Sequence, residues 1–117
     1  MINGEFKIKI YYEDTDSGGV VYYANYLKFL ERARTEMISS VGLSNKKLLD
    51  DYETLIIVKS CKIEYKKPIK LEDEIVLKSK VKSVSRSSFI MEQRIEKDGI
   101  LISEAEIVLV TVNKLGK

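Results

Sequence analysis

Residues 23–41 read YANYLKFLERARTEMISSV, and their apolar side chains recur every three or four positions. The recurring positions are Leu27, Leu30, Ala33, Met37, Ile38 and Val41. This spacing is typical of a helix that buries one face. At a rise of about 1.5 Å per residue the segment predicts a helix roughly 28 Å long. Gly42 is its expected C-cap.

Segments on both sides of this helix predict a sheet. Residues 6–12 alternate between apolar and polar side chains, as a half-buried strand does. Later segments rich in Ile, Val, Leu and Thr lie near residues 53–65, 74–84, 87–97 and 100–113. Asp98-Gly99 indicates a tight hairpin, so consecutive strands should be antiparallel. Between residues 43 and 51 we expect one short helical turn. The order predicts a single α+β domain over residues 1–117, with about five strands curled around one long helix.

Two features of the strands suggest contacts between subunits. Residues 107–112 are apolar on both parities, so this strand is either covered on both faces or lies at a subunit contact. The edge strands are too long to leave bare, and an edge-to-edge dimer would cover one of them.

Cys61 alternates with Ile63 and Tyr65, which predicts a small core residue rather than a reactive thiol.

Composition excludes several kinds of chemistry. The chain has 117 residues, a formal net charge of +2, one Cys and no His. Without His there is no Ser-His-Asp or Cys-His catalysis and no HExxH zinc site, and a lone Cys forms no intrachain disulfide. No run of about 18 apolar residues or signal-like segment is present, so we expect a cytoplasmic location without membrane insertion. The charge excess is too small to indicate nucleic-acid binding.

The segment before the helix, residues 11–22, reads YYEDTDSGGVVY and combines carboxylates with two glycines. A carboxylate here would lie near the unpaired N–H groups at the helix start, which together supply a base and an oxyanion site. Alternatively, Asp14, Asp16 and Ser17 only cap the turn. An EF-hand calcium loop fails because Gly18 and Asn25 occupy ligand positions, and no phosphate-binding P-loop is present.

These residues carry a resemblance to a known family. The matching motifs are YEDTD at 12–16, GVVY at 19–22, ANY at 24–26, ERARTE at 31–36 and EYKKP at 64–68. Over about residues 6–113 the chain resembles the hotdog-fold acyl-CoA thioesterases, in particular the 4-hydroxybenzoyl-CoA thioesterase-like, YbgC-type branch. The N-terminal motif is specific, whereas the Tyr-Lys-Lys-Pro turn is only supportive.

The resemblance implies an arrangement of site residues. Asp16 would be the nucleophile or the base for the attacking water, and the backbone N–H of Tyr23 would be the oxyanion donor. YbgC-type enzymes usually have His at the position of Tyr23, but a backbone donor does not depend on the side chain. Arg86, with the hydroxyls of Ser87 and Ser88, would lie near the phosphates of CoA. Active sites would sit at the interface of a homodimer, and dimers would pair into a homotetramer.

The expected reaction is hydrolysis of an acyl-CoA thioester to a free acid and CoA, without metal or other cofactor. A thiolate leaves readily because its conjugate acid has a pKa of about 8.5, so a catalyst without His is chemically reasonable. Basic residues on and after the second strand either extend the phosphate site or form a solvated face; they are Lys59, Lys62, Lys66 and Lys67. The alternatives are a thioesterase for acyl carrier protein and a non-catalytic acyl-CoA binding or scaffold protein.

Overall fold

The computed structural model describes residues 3–113, which form five strands, two α-helices and a short 3-10 turn at Tyr12–Asp14. The elements are β1 Asn3–Lys9, α1 Tyr23–Ser39, α2 Asn45–Tyr52, β2 Thr54–Tyr65, β3 Glu74–Val84, β4 Ser88–Lys97 and β5 Ile100–Asn113. The ends of the expected domain, residues 1–2 and 114–117, lie outside the described residues.

The strands form one antiparallel sheet in the order β1-β3-β4-β5-β2, with α1 packed on its inner face. The α+β hotdog architecture expected from the sequence is therefore confirmed. The first strand and the short turn after the long helix differ from the prediction. The first strand begins at Asn3 and ends at Lys9, because the chain turns at Tyr12–Asp14. The expected short turn is the eight-residue helix α2, which begins where the Ser44 side chain accepts a hydrogen bond from the Lys47 N–H.

Helix α1 buries Leu30, Ala33 and Met37 of the predicted apolar face, but Leu27 is exposed. Val41, also predicted for that face, is exposed beyond the end of the helix. Its buried residues are Tyr26, Phe29, Leu30, Ala33 and Met37. They join one core with inward-facing strand residues such as Ile75 and Met91. β1 approaches closely at Gly4, where an added Cβ would lie 2.9 Å from Met37 Cγ. The helix is capped at Ser40 rather than at Gly42, which lies two residues further on with a φ of 82°.

Helix α1 does not cover the inner face of the sheet evenly. α1 packs mainly on β1 and β3, at the opposite edge of the sheet from β2. On β2, Val58 and Cys61 face inward, because they pair with the buried Leu109 and Ile107 of β5. Both are nevertheless exposed. The prediction that Cys61 is a core residue was wrong, because α1 packs mainly on β1 and β3 and leaves this part of β2 exposed.

β5 is buried on its inner face only. Ile107 and Leu109 are buried there, whereas Val108 and Val110 on the outer face are half-buried. Within the protomer the strand is therefore not covered on both faces. Among the described residues, no helix is long and apolar enough to cross a membrane.

Candidate active site

Asp14 has a structural role in the segment before α1. Its side chain is 5% exposed, and Oδ2 accepts a hydrogen bond from the Tyr11 N–H at 3.0 Å. In return its own N–H donates to the Tyr11 carbonyl oxygen at 3.0 Å. Capping of the turn, one of the two interpretations of this motif, therefore describes Asp14.

Asp16 is held differently and keeps one oxygen free. Oδ1 accepts hydrogen bonds from the N–H groups of Gly18, at 2.8 Å, and Val20, at 3.2 Å. Its other carboxylate oxygen, Oδ2, has no hydrogen-bond partner in residues 3–113. The side chain is half-buried. Asp16 thus has a fixed orientation and an oxygen available to a substrate or a water molecule.

The chain between Asp16 and α1 is anchored by the β2–β3 connection. The Val21 N–H donates to the Ile69 carbonyl oxygen at 2.8 Å, and the Leu71 N–H donates to the Gly19 carbonyl oxygen at 2.9 Å. Gly19 has a φ of 78°, a backbone conformation that glycine adopts without strain. Backbone hydrogen bonds on both sides therefore fix the path from Asp16 to the helix.

The start of α1 offers uncapped backbone donors. Tyr22 precedes the helix with extended backbone, and no side chain at that position caps it. The first N–H groups of a helix have no acceptor within the helix, and they carry its positive end. The amide of Tyr23, the first helical residue, can therefore stabilise an anion.

Three tyrosines surround this helix start. The Tyr65 ring lies 4.4 Å from the Tyr23 ring and 4.9 Å from the Tyr26 ring, centroid to centroid. The Tyr65 hydroxyl donates to the Tyr23 carbonyl oxygen at 3.4 Å. Tyr26 is fully buried, whereas Tyr22, the residue before the helix, is 57% exposed. Burial raises the pKa of Tyr65, as do Cys61 and Tyr23.

Arg86, Ser87 and Ser88 lie elsewhere in the protomer. Arg86 and Ser87 occupy the turn from β3 to β4, and Ser88 is the first residue of β4. The Thr111 N–H donates to the Ser87 carbonyl oxygen at 2.9 Å. The Asp16 loop contacts the other end of β3, through residues 69–71 that precede it. β3 has 11 residues, and at about 3.3 Å per residue it separates the two groups by roughly 36 Å. Asp16 and Tyr23 lie seven residues apart in one segment, whereas Arg86 lies at the other end of β3.

Sequence reasoning missed two polar contacts of α1. The Asn25 side chain donates to the Asp14 carbonyl oxygen at 2.8 Å. Further along, Arg34 donates to Oε1 of the fully buried Gln93 at 3.0 Å, and Gln93 donates to the Leu30 carbonyl oxygen at 3.0 Å. A glutamine at an inward-facing position between Met91 and Ile95 was the available signal for the second contact. Within residues 3–113, no cluster of three or more His, Cys, Asp and Glu could hold a metal ion.

Comparisons with known proteins identify a family and a shared fold. A sequence model of the Thioesterase-like superfamily matches residues 11–116. The acyl-CoA thioesterase YbgC of Haemophilus influenzae is 38% identical over 96% of this chain and 82% of that protein. A probable thioesterase from Bartonella henselae has a similar structure, with a TM-score of 0.94 and 29% identity over 98% of this chain and 95% of that one. An Asp-to-Asn variant of 4-hydroxybenzoyl CoA thioesterase, complexed with 4-hydroxybenzoyl CoA, shares the fold, with a TM-score of 0.90 and 18% identity over 100% and 89% of the two chains.

Proposed function

The chain belongs to the thioesterase-like superfamily, and we propose that Asp16 and the Tyr23 amide catalyse its hydrolysis of acyl-CoA thioesters to a free acid and CoA. One observation carries this assignment. A carboxylate with a free oxygen and an uncapped helix start lie seven residues apart, in a segment whose path is fixed by backbone hydrogen bonds. The relative from Haemophilus influenzae, named an acyl-CoA thioesterase, supports it.

In the proposed reaction, the Tyr23 N–H donates to the thioester carbonyl oxygen. Asp16 Oδ2 then acts in one of two ways. It attacks the carbonyl carbon and forms an anhydride that water hydrolyses, or it takes a proton from a water molecule that attacks the same carbon. Either route expels CoA as a thiolate, which needs little protonation. Loss of a comparable oxyanion donor costs about 2.7–4 kcal/mol in other acyl-transfer enzymes, which sets the scale of the contribution from the helix start.

Binding of CoA is proposed to involve Arg86, with Ser87 and Ser88 beside it. Arg86 is exposed, and its fork of N–H donors suits phosphate oxygens. Because Arg86 lies far from Asp16 in the same protomer, a site containing both requires a second subunit.

A dimer joined along β2 supplies that geometry. The Tyr65 end of β2 lies beside Tyr23, whereas the Thr54 end lies at the same end of the sheet as the β3–β4 turn. Two β2 edges related by a two-fold axis run antiparallel and reverse these ends. The partner's Arg86 then comes to the end that holds Asp16 and Tyr23. Among the described strands β2 is an edge strand, and this position, with the exposed Val58 and Cys61, supports the homodimer.

Pairing of dimers into a homotetramer is proposed through the outer face of the sheet. On this face, strands β2, β4 and β5 carry apolar side chains that are half-buried or exposed: Ile57, Ile90, Val108 and Val110. Ile57 pairs with Val110, and Ile90 pairs with Val108. Such a contiguous patch is typical of a contact surface. A cytoplasmic location is also proposed, and the single free Cys61 is consistent with a reducing compartment.

The test is thiol release by the purified protein from a panel of short-chain, long-chain and aromatic acyl-CoAs. We expect Asp16→Asn to lower kcat by about 100-fold or more, the usual scale for a catalytic acid or base. Glu13→Gln, which neutralises an exposed carboxylate three residues away, is the matched control and should retain activity. Equal activity of Asp16→Asn and the wild type would refute the assignment of Asp16.

Two other results would replace the proposed substrate or reaction. Turnover of acyl groups on acyl carrier protein, with none on free acyl-CoA, would identify a carrier-protein thioesterase. The basic residues Lys59 and Lys62 on β2 would then meet an acidic partner, and binding would weaken as salt increases. Tight binding of acyl-CoA without any release would identify a binding or scaffold protein.

A further inference from the structure

We propose that Asn25 is a positioning residue that holds the Asp16 loop at a fixed distance from the amides at the start of α1. This inference rests on the proposed function, because its effect is on the reaction of an acyl-CoA at Asp16 and Tyr23. Asn25 itself touches no reacting atom in this scheme.

The Asn25 side chain is hydrogen-bonded to the loop that carries Asp16. The Asn25 backbone N–H is already used, since it donates to the Tyr22 carbonyl oxygen at 3.0 Å. Its side-chain Nδ2 reaches back eleven residues to the Asp14 carbonyl oxygen at 2.8 Å. Across residues 3–113, this is the one side-chain hydrogen bond between the first turn of α1 and the segment at 13–20. It enters the segment two residues before Asp16.

The accepting group is itself immobilised. The Asp14 side chain is buried and bonded to the Tyr11 N–H, so the Asp14 carbonyl belongs to a closed turn. Asp16 makes only local contacts with Gly18 and Val20, which orient its carboxylate within the loop and not against the helix. Asn25 therefore adds a constraint on the separation of the Asp16 carboxylate and the Tyr23 amide. A displacement of about 1 Å in such a pair can lower a rate by about 100-fold.

The substitution Asn25→Asp removes the donor while keeping the shape of the side chain. A carboxylate in the first turn of a helix is favourable for the helix, so the fold should be retained. Asn45→Asp is the matched control, because Asn45 also begins a helix and donates from its side chain, in this case to Thr35 Oγ1 at 3.3 Å. Asn25→Gln keeps the carboxamide donor with one more methylene.

We expect Asn25→Asp to lower kcat for acyl-CoA by about 10- to 100-fold at pH 8, with KM within about threefold of the wild type. Asn45→Asp should leave both constants unchanged, and Asn25→Gln should lie closer to the wild type. The ratio of Asn25→Asp to wild-type activity should rise as the pH is lowered, because a protonated carboxyl at position 25 can again donate to the Asp14 carbonyl oxygen. A purely structural role would not produce that rise.

The outcomes separate this inference from the function on which it rests. Wild-type activity that depends on Asp16, together with unchanged kcat in Asn25→Asp, would overturn the inference and leave the function intact. Equal losses in Asn25→Asp and Asn25→Gln, or a pH-independent ratio, would also overturn it. An inactive wild type would refute both. The unfolding temperature of each variant identifies any loss of activity that comes from misfolding. If Asn25→Asp misfolds, the comparison of Asn25→Gln with Asn25→Ser is used instead.

Discussion

At the scale of single residues, the hydroxyl of Tyr26 is in an unfavourable environment. The side chain is fully buried, and its oxygen makes no hydrogen bond of ordinary geometry within the described chain. Burial raises the pKa of Tyr26 to about 12. The backbone of Ile69 lowers this pKa, whereas the nearby Tyr23 and Tyr65 raise it further. Leaving a buried hydroxyl without a partner costs about 1–3 kcal/mol.

Removal of that hydroxyl should therefore stabilise the protein. We expect Tyr26→Phe to raise the free energy of unfolding by about 1 kcal/mol, measured by urea denaturation. Tyr52→Phe, at a side chain that is 62% exposed, is the control and should have little effect. Destabilisation by Tyr26→Phe would show that the hydroxyl has a partner in solution, such as a buried water molecule.

The sequence predicted residues at this scale only where local spacing decides their position. Asp16 and Tyr23 lie within one short segment, so the link between a carboxylate and a helix start could be predicted before any tertiary contact was known. Asn25 and Gln93 could not be assigned roles in that way. The partner of Asn25 lies 11 residues away, and those of Gln93 lie 14, 59 and 63 residues away. Hydrophobic periodicity does not specify such contacts.

At the scale of elements, the β2–β3 connection supports the Asp16 loop, and Asp73 organises that connection. Asp73 Oδ2 accepts from the Lys70 N–H at 2.8 Å, and Oδ1 accepts from Lys97 Nζ at 2.8 Å. The Asp73 carbonyl oxygen also accepts from the Ile10 N–H, which ties the connection to the end of β1. Burial acts to raise the pKa of Asp73, but the contacts with Lys97 and Lys70 together hold it below its ordinary value of 3.8.

This lowered pKa predicts an acid-dependent loss of stability. A carboxyl whose pKa is lower in the folded state stabilises the fold above its unfolded pKa, near 3.8, and that stabilisation is lost as the pH falls through the folded pKa. We expect Asp73→Asn to be less stable than the wild type at pH 7, with a difference that shrinks below about pH 4. Denaturation at a series of pH values measures this difference. A constant difference down to pH 2 would contradict the assignment, and Asp98→Asn, at the exposed neighbouring turn, is the control.

The strands were predictable because the alternation of apolar and polar side chains indicates one buried face. Strands β2 to β5 follow the expected segments closely. The burial of Cys61 was not predictable in the same way. The spacing of Cys61, Ile63 and Tyr65 identifies an inward face, but whether a helix covers that face depends on where α1 lies across the sheet. Because α1 packs mainly on β1 and β3, Val58 and Cys61 stay exposed, although Ile56 and Ile63 of the same strand pack against the core.

At the scale of the whole molecule, the residues of the proposed site lie at opposite ends of the sheet within one chain. Asp16 lies at the end where β3 begins, whereas Arg86 lies where β3 ends. In the proposed β2-to-β2 dimer, each site combines Asp16 of one protomer with Arg86 of the other. Two identical sites result, because a two-fold axis repeats every contact.

This division predicts that two impaired variants restore each other's activity. Asp16→Asn and Arg86→Ala should each have low kcat/KM at low acyl-CoA concentration. When the two are unfolded together and refolded at equal concentrations, half of the dimers are mixed, and one of the two sites in each mixed dimer carries both wild-type residues. Recovery should approach about a quarter of wild-type kcat/KM. Refolding Asp16→Asn with a chain carrying both substitutions is the control and forms no intact site. If Asp16 and Arg86 of the same protomer shared a site, no mixed dimer would contain an intact pair, and activity would stay at the level of the separate variants.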